Sequence, residues 1–369
     1  MSRCARSDFP AGRYACVVSG PRLRVDDFSY ELPADAIAQI PAEPRDASGL
    51  LVLDRSRPGD LQHLKFRDIG DLLEPGDLLV VNDSRVIPAR LSARRSSGGS
   101  AEVLLLRPLA GGPGRWEALV RPSGRIAEGD RLTLRTGEKV EVGERLGGGA
   151  RVVRFDGDPA SIMAAAGEMP LPPYIHDRTA PADRYQTVYA SPPGSAAAPT
   201  AGLHFTPELL ASLVSRGVAR ASVTLHVGLD TFRPLESEFT DEHLIHREWF
   251  EIPAETRRAI ATTRASGSRV IAVGTTAVRV LETAARTEAT SGWTDLYITP
   301  PHPFGSVDAL ITNFHLPRSS LLLLVTAFVQ DGISEADAFE ARDALFGAYR
   351  AALEAGYRFF SFGDAMLIV

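Results

Sequence analysis

The sequence predicts an α/β protein in which a layered α/β/α domain with a mostly parallel sheet is interrupted by a small antiparallel β-barrel. After residue 158, apolar strand-like segments alternate with helix-like ones, the pattern of a parallel sheet covered by helices. Between residues 77 and 157 only short β-type runs occur, separated by glycine-rich breaks, which is typical of a small barrel. The predicted parts are a loose tail (1–25), an α/β catalytic domain (26–75 and 158–369) and the inserted barrel (76–157).

Length and composition favour a globular protein of more than one domain. The chain has 369 residues, of which 44% are hydrophobic and 23% charged, as in an average soluble protein. Its longest apolar run, around 321–328, is shorter than the ~18 residues of a membrane span. Both cysteines, Cys4 and Cys16, fall in the predicted tail. We therefore expect no membrane segment, no disulfide framework and a cytoplasmic location.

Helix start and stop signals divide the α/β part into elements. The clearest helix is 206–217, where Thr206 can cap, Pro207 opens the first turn and Gly217 ends the helix. Periodicity and capping residues predict the other elements in the same way. We expect further helices over 158–167, 253–267, 275–285 and 334–356 (one helix or two), and strands over 218–228, 268–274 and 295–299.

Charge is distributed unevenly along the chain. The net charge is −6, yet the segment 85–155 contains 14 Arg or Lys against 7 Asp or Glu, a local charge of +7. A basic segment inside an acidic protein is the pattern that binds phosphate backbones. The same pattern also fits the solvated face of a small β-domain, so charge alone leaves both interpretations open.

Two strand-to-helix turns are candidate ligand sites, because open α/β sheets bind ligands at the carboxyl ends of their parallel strands. At 274–276 a glycine and two threonines precede a helix, and free amides there suit an anionic or hydroxyl-bearing ligand, although plain capping explains them too. The second turn is the run GSAAAPTAGLHF over 194–205, whose small residues leave the backbone accessible beside His204. Neither turn has the P-loop pattern.

Three histidines fall at predicted strand ends or just before a helix: His204, His226 and His315. A single histidine in such a place is usually a satisfied core group, but three are harder to assign to the core, and imidazole can act as acid or base near neutral pH. His243 and His246 have a metal-like spacing, yet no suitable carboxylate or cysteine accompanies them. We do not expect a metal site.

Several blocks of the sequence carry a family resemblance. They include GDLLVVNDSRVIPARL, PGSAAAPTAGLHFT, VIAVGTTAVRVLE and VDALITNFHLPRSSLLLLVTAF. Together they resemble the S-adenosylmethionine:tRNA ribosyltransferase-isomerase family of queuosine biosynthesis, in collinear order from about residue 26 to the end. The resemblance implies an α/β domain with an inserted β-barrel. It also implies transfer of the ribosyl part of S-adenosylmethionine to preQ1 at the wobble position of tRNA, giving epoxyqueuosine, adenine and methionine.

The resemblance implies a co-substrate site, a tRNA site and an acid/base pair, without fixing individual roles. S-adenosylmethionine is the expected co-substrate, tRNA with preQ1 in its anticodon loop is the expected partner, and we expect a monomer. By position and chemistry, the candidate residues are His204, His226 and His315 for catalysis; Thr200, Ala201, Gly202, Gly274, Thr275, Thr276 and Arg279 for the co-substrate; and Asn82, Arg85 and Arg90 for tRNA. Replacing His204 by Ala is expected to abolish turnover and leave the fold stable.

The chain departs from the family pattern at a few positions. Gly49 stands where Arg is usual, Leu229 and Asp230 replace two small residues, Arg247 replaces Ser, and Ala277 replaces Ser. Lineage drift explains these changes, but so does a paralogue with another acceptor, such as a free deazapurine or another RNA. A non-catalytic RNA-binding protein is a further alternative. A methyltransferase is disfavoured, because the glycine-rich first turn and its acidic ribose ligand are missing.

Overall fold

The structure is a computed structural model that describes residues 22–112, 114–228, 234–333 and 335–369. Its helices are α1 (Pro159–Ala166), α2 (Pro207–Ser215), α3 (Ala254–Ala265), α4 (Thr275–Thr287), α5 (Ser320–Gly332) and α6 (Ala338–Glu354). Its strands are β1 (Gly49–Leu53), β2 (Leu61–Lys65), β3 (Leu78–Asn82), β4 (Arg85–Val86), β5 (Arg90–Arg94), β6 (Ser100–Pro108), β7 (Arg115–Arg121), β8 (Arg131–Leu134), β9 (Lys139–Arg145), β10 (Ala150–Phe155), β11 (Gly167–Glu168), β12 (Pro193–Ser195), β13 (Ala219–Leu225), β14 (Glu248–Glu251), β15 (Val270–Val273), β16 (Ser291–Thr294), β17 (Ala309–Asn313) and β18 (Ala365–Ile368).

The larger sheet has a parallel centre and antiparallel margins. Its nine strands follow the order β16-β14-β13-β3-β15-β17-β18-β1-β2. The four strands β13, β3, β15 and β17 are mutually parallel, so their carboxyl ends meet at one edge. The pairs β17–β18, β1–β2, β13–β14 and β14–β16 are antiparallel. The predicted layered α/β fold is confirmed, with an antiparallel margin on each side that the sequence pattern did not indicate.

The second sheet closes on itself as a barrel. Its strands follow the order β11-β5-β6-β7-β10-β9-β8, and an additional β5–β8 pairing joins the ends of a six-stranded ring. All its pairings are antiparallel. Closure leaves no unpaired edge among the six strands, so the barrel is protected from edge-to-edge association. The predicted antiparallel barrel is therefore present.

Two apolar clusters cover the two faces of the larger sheet. In β3, Leu78 and Val80 belong to the cluster that also contains side chains of α4, α5 and α6. Leu79 and Val81 point to the other face, where α2 packs. A separate cluster fills the barrel. A strand buried on both faces needs a continuous apolar run, which is what the segment LLVV provides.

Three features of the structure correct the sequence-based expectations. Strand β3 was expected in the barrel, but it pairs with β13 and β15 in the larger sheet, so the barrel strands begin at Arg90. The strand expected at 295–299 lies earlier, as β16. Part of the expected tail is docked: the Val25 amide donates to the Glu238 carbonyl, and Val25 is buried. The rest of the tail lies outside the described residues.

No helix in the described part of the chain is long and apolar enough to cross a membrane.

Candidate active site

A cleft opens at the carboxyl edge of the parallel strands. It encloses about 630 Å³, including open solvent at its mouth. The segments after β13, β15 and β17 supply much of its wall, together with the 3₁₀ helix Thr200–His204. Five of the residues predicted for the co-substrate line it: Thr200, Ala201, Gly274, Thr275 and Thr276. The two predicted turns, 74 positions apart in the chain, therefore meet in one cavity.

The start of α4 supplies polar groups to this cleft. Gly274 precedes the helix with φ of +89°, a conformation that favours glycine. The first amides of a helix have no partner within the helix, and its amino end carries partial positive charge. The Thr276 side chain is buried, and its Oγ1 has no hydrogen-bond partner among the described residues. An unsatisfied buried hydroxyl facing a cleft indicates a place for a polar ligand atom.

His315 is the predicted catalytic histidine that lines the cleft. Its Nε2 lies 2.7 Å from Oγ1 of Thr312, and its backbone amide donates to the Tyr349 hydroxyl at 3.0 Å. Burial lowers the pKa of His315 to about 3. The imidazole is therefore neutral at pH 7.

His204 lies behind the cleft and not in its wall. The Asn313 side-chain amide donates to Nε2 of His204 at 3.2 Å, so Nδ1 carries the ring proton and donates to the Ser48 hydroxyl at 2.8 Å. The ring stacks on Phe66 at 5.0 Å, and burial lowers its pKa to about 4. Since both ring nitrogens bond to the protein, His204 has no free nitrogen for a substrate. The expected catalytic role does not fit this geometry.

Gly202 likewise has a packing role that differs from the expected one. A Cβ atom at this position would overlap the hydroxyl of Tyr189. Gly202 is therefore required for the approach of Tyr189 and does not line the cleft.

His226 occupies a different surface, a groove between the barrel and the larger sheet. Its ring stacks on Trp249, with centroids 5.4 Å apart, and its Nδ1 lies 2.7 Å from the Ser84 hydroxyl oxygen. A Cβ at Gly194 would lie 2.6 Å from Nε2 of His226, so only glycine admits the ring here. Burial lowers the pKa of His226 as well. The small-residue run thus positions two histidines, one at each end.

The groove is wide and aromatic. It encloses about 3070 Å³ including open solvent, and we call it the aromatic groove. All three tryptophans of the chain line it: Trp116 from the barrel, and Trp249 and Trp293 from the margin of the larger sheet. Trp293 is 43% exposed. Leu321 lines both the groove and the cleft, so the two cavities adjoin.

Arg279 lies in the aromatic groove, although it was predicted to bind the co-substrate. It forms a buried ion pair with Glu248, and its Nε donates to the Leu296 carbonyl at 3.1 Å. Glu248 in turn accepts from the Gly228 amide at 2.8 Å. Arg279 therefore fixes the groove wall, and it does not line the cleft.

The three residues predicted to bind tRNA are in different situations. Asn82 is fully buried, with its amide nitrogen bonded to the Leu225 carbonyl and its oxygen to the Leu225 and Ser84 amides. Arg90 pairs with Glu102 at 2.8 Å and is only 17% exposed. Asn82 cannot reach RNA, and Arg90 is already paired. Arg85 is exposed, with one contact at 3.4 Å to the Ala190 carbonyl, and its contact with tRNA remains a prediction.

The departures from the family pattern fall in three environments. Gly49 is packed against Tyr357, and a Cβ there would lie 2.8 Å from that ring. Arg247 is exposed and lines the aromatic groove, where it adds a positive charge. Ala277 is fully buried in the first turn of α4. Leu229 and Asp230 lie outside the described residues.

Sequence reasoning missed the tryptophans, Ser84, which contacts His226, and Ser195, which bonds to Ser84. Trp116, Trp249 and Trp293 are far apart in sequence, and each stands alone in a β-type run. The sequence shows that there are only three tryptophans. The structure shows that all three lie on one surface. Ser84 and Ser195 carried no comparable signal.

A layered α/β domain with an inserted closed barrel, a cleft at the strand ends and an adjoining aromatic groove define an α/β protein with two adjoining cavities that could bind ligands. Comparison with known proteins gives the family: the chain belongs to the queuosine biosynthesis protein family, whose model matches residues 25–368.

Individual relatives are similar to the chain in sequence over nearly its full length. The chain is 52% identical to the S-adenosylmethionine:tRNA ribosyltransferase-isomerase of Heliobacterium modesticaldum, over 94% of this chain and 100% of that protein. It is 51% identical to the protein of the same name from Anaeromyxobacter sp., over 94% and 99%. The crystal structure of S-adenosylmethionine tRNA ribosyltransferase from Thermotoga maritima matches with a TM-score of 0.53 and 41% identity, over 93% of this chain and 100% of that chain.

Proposed function

We propose that the protein is an S-adenosylmethionine:tRNA ribosyltransferase-isomerase that transfers the ribosyl part of S-adenosylmethionine to preQ1 at the tRNA wobble position, with release of adenine and methionine. The observation that carries this proposal is the sequence similarity, over nearly the full length, to enzymes of that name, at 52% and 51% identity. The two adjoining cavities support it, because the reaction brings a small donor to a base of a large RNA.

The cleft is the proposed donor site. Thr276 Oγ1, the first amides of α4 and the accessible backbone at Thr200 and Ala201 offer hydrogen bonds to hydroxyl, carboxylate or ring-nitrogen atoms. When bound, S-adenosylmethionine supplies a sulfonium that acidifies the neighbouring C5′ hydrogen and a ribosyl group that can be transferred. His315 lines this cleft, and its neutral imidazole is the proposed proton acceptor there.

The aromatic groove is the proposed site of the anticodon loop. Single-stranded bases stack on aromatic side chains regardless of sequence, and three tryptophans line this surface. Two of the charged residues in its described wall are already neutralised, as Arg107 pairs with Glu117 and Arg279 with Glu248. Arg247 remains exposed to meet a phosphate. Arg107 is the basic residue that the described barrel strands contribute to this groove, so most of the excess positive charge of the barrel lies elsewhere on its surface.

Replacing Trp293 by Ala tests the groove directly. Because stacking contributes about 1–3 kcal/mol per base, we expect tRNA affinity to fall by roughly 5- to 150-fold, with co-substrate affinity unchanged. Quenching of tryptophan fluorescence by the anticodon stem-loop measures the affinity. The matched control is Val214→Ala, which alters an exposed apolar residue (61% exposed) outside the groove. Equal affinities of the two variants would place the RNA elsewhere.

The activity itself has a direct test. Purified protein is incubated with S-adenosylmethionine and preQ1-containing tRNA, and adenine release and the mass of the modified nucleoside are followed. Adenine release with the mass gain of a ribosyl group supports the proposal. Adenine release with another acceptor but not with this tRNA would indicate a paralogue. Binding of tRNA without any adenine release would indicate a non-catalytic RNA-binding protein.

A further inference from the structure

His226 stands where the cleft and the aromatic groove adjoin. It lines the groove, while the next residue, Val227, lines the cleft. One ring nitrogen, Nδ1, bonds to Ser84, and Nε2 has no hydrogen-bond partner among the described residues. The ring lies between Trp249 and Gly194, so its orientation is restricted. The chemical character of Nε2, donor or acceptor, therefore decides what His226 can do for a substrate.

A chain of four hydrogen-bonding groups determines that character. The Val227 amide donates to the Ser195 hydroxyl oxygen at 2.9 Å, and this amide can only be a donor. The Ser195 and Ser84 hydroxyl oxygens are 2.6 Å apart, and Ser84 lies 2.7 Å from Nδ1 of His226. Both serines are fully buried. Solvent therefore cannot accept a hydroxyl proton that has no acceptor within the protein.

Only one direction of donation along these hydrogen bonds gives every hydroxyl proton an acceptor. If Ser195 donates to Ser84, then Ser84 donates to Nδ1, and the ring proton of neutral His226 lies on Nε2. In the reverse direction Ser84 donates to Ser195, whose own proton then has no acceptor among the described residues. A buried hydroxyl proton without an acceptor is costly, and hydrogen bonds that run in one direction strengthen each other.

The backbone holds this chain in place. Asn82 accepts from the amides of Ser84 and Leu225 at 3.1 Å each, and so ties the segment after β3 to the end of β13. The His226 amide donates to the Trp249 carbonyl at 3.0 Å. Asn82 thus fixes the distance between Ser84 and His226.

We propose that Ser195 and Ser84 are positioning residues that hold His226 as its Nε2–H tautomer, so that His226 donates a hydrogen bond to a substrate acceptor atom in the aromatic groove and does not act as the base. The substrate part of this inference rests on the proposed function. A neutral histidine held as a donor is an established catalytic device, because it stabilises developing negative charge without transferring a proton.

The tautomer is measured without substrate. In protein labelled with ¹⁵N-histidine at pH 7.5, His226 is assigned by comparison with the His226→Gln spectrum. We expect a protonated Nε2 and an unprotonated Nδ1. In Ser84→Ala the difference in protonation between Nε2 and Nδ1 should diminish, because the ring gains freedom. The control is Thr283→Val, which breaks another buried hydroxyl pair (Thr283 and Thr294, 2.7 Å) and should leave that difference unchanged. A proton on Nδ1 of the wild-type protein, or an unaltered ring in Ser84→Ala, would overturn the inference.

A variant series separates donor from base in turnover. Gln presents an N–H group near the position of Nε2 but cannot accept a proton, whereas Asn and Ala present nothing there. We expect His226→Gln to retain kcat at least about tenfold above His226→Asn and His226→Ala, in line with one charge-assisted hydrogen bond. Equal inactivity of all three, with tRNA affinity preserved, would overturn the donor role. If the wild-type protein releases no adenine, the proposed function fails, while the tautomer measurement still stands by itself.

Discussion

His204 and His226 lie near the two ends of one small-residue run and have contrasting surroundings. His204 is buried, and both of its ring nitrogens bond to side chains, Ser48 and Asn313. His226 bonds through one nitrogen and lines an open groove with the other side of its ring. The same residue type thus has a structural role in one place and is available to a ligand in the other.

The difference shows which observation separates a structural group from a functional one. Burial and a lowered pKa do not separate them, since burial lowers the pKa of both histidines. The number of unused hydrogen-bonding atoms does. A polar group that the protein satisfies completely stabilises the fold, and one with an unused donor or acceptor beside a cavity is placed for a ligand.

The largest effect is expected for His204→Ala. The substitution leaves the Ser48 hydroxyl and the Asn313 amide without their buried partner and opens a space beside Phe66. We expect a loss of about 3 kcal/mol in the free energy of unfolding, measured by urea denaturation. This replaces the expectation, drawn from the sequence, that the variant is stable and inactive.

The matched control is His226→Ala, which should lose less than His204→Ala, about 1–2 kcal/mol, because the ring is only partly buried and one buried hydroxyl, that of Ser84, loses its partner. A stable His204→Ala variant that has lost turnover would contradict the structural role of His204.

The pH dependence of stability gives a second, smaller difference. Burial lowers the pKa of His204 to about 4 and of His315 to about 3, from 6.5. The unfolded chain therefore binds more protons than the folded protein below pH 6.5, so the stabilising contribution is complete above that pH and is lost as pH falls toward 4. Each histidine should contribute up to about 2 kcal/mol of this loss between pH 7 and pH 5.

Urea denaturation at several pH values measures the slope of the free energy of unfolding against pH. Variants show which residues cause that slope. His315→Asn should remove the contribution of His315, up to about 2 kcal/mol between pH 7 and pH 5, and should leave that of His204. A slope that does not respond to His315→Asn would mean that other groups control acid unfolding.

The sequence predicted much of the architecture and part of the site. Helix α2 begins as expected, with the Thr206 hydroxyl accepting from the Leu209 amide at 3.0 Å, because capping is a local property. The sequence predicts strand β3 in the barrel, which is wrong: β3 lies in the larger sheet, and its unbroken apolar run is typical of the centre of a parallel sheet. The turn at 274 follows β15 and fits the rule that strand ends mark ligand sites, whereas the turn at 200 follows β12, which pairs with β4 outside the larger sheet, and its signal is the run of small residues.

The roles of particular side chains were not predictable in the same way. The sequence predicts that Asn82 binds tRNA, yet Asn82 is fully buried and bonded at both ends of its amide. Its partner Leu225 is 143 positions away, and no local pattern encodes such a contact. Arg279 follows the α4 turn by sequence, but its direction from the helix takes it to Glu248 and away from the cleft. Long-range hydrogen bonds decided both cases.

The smallest expected effect on stability, and the most specific on binding, belongs to Thr276→Val. Its Oγ1 bonds to no described residue, so removing the hydroxyl should change the free energy of unfolding by less than about 0.5 kcal/mol. If the hydroxyl bonds to S-adenosylmethionine, affinity measured by calorimetry should fall by about tenfold, the value of one hydrogen bond. Thr283→Val is the opposite case, because Thr283 bonds to Thr294 and does not line the cleft. It should lose stability and keep the affinity. Unchanged affinity in Thr276→Val would remove this hydroxyl from the donor site.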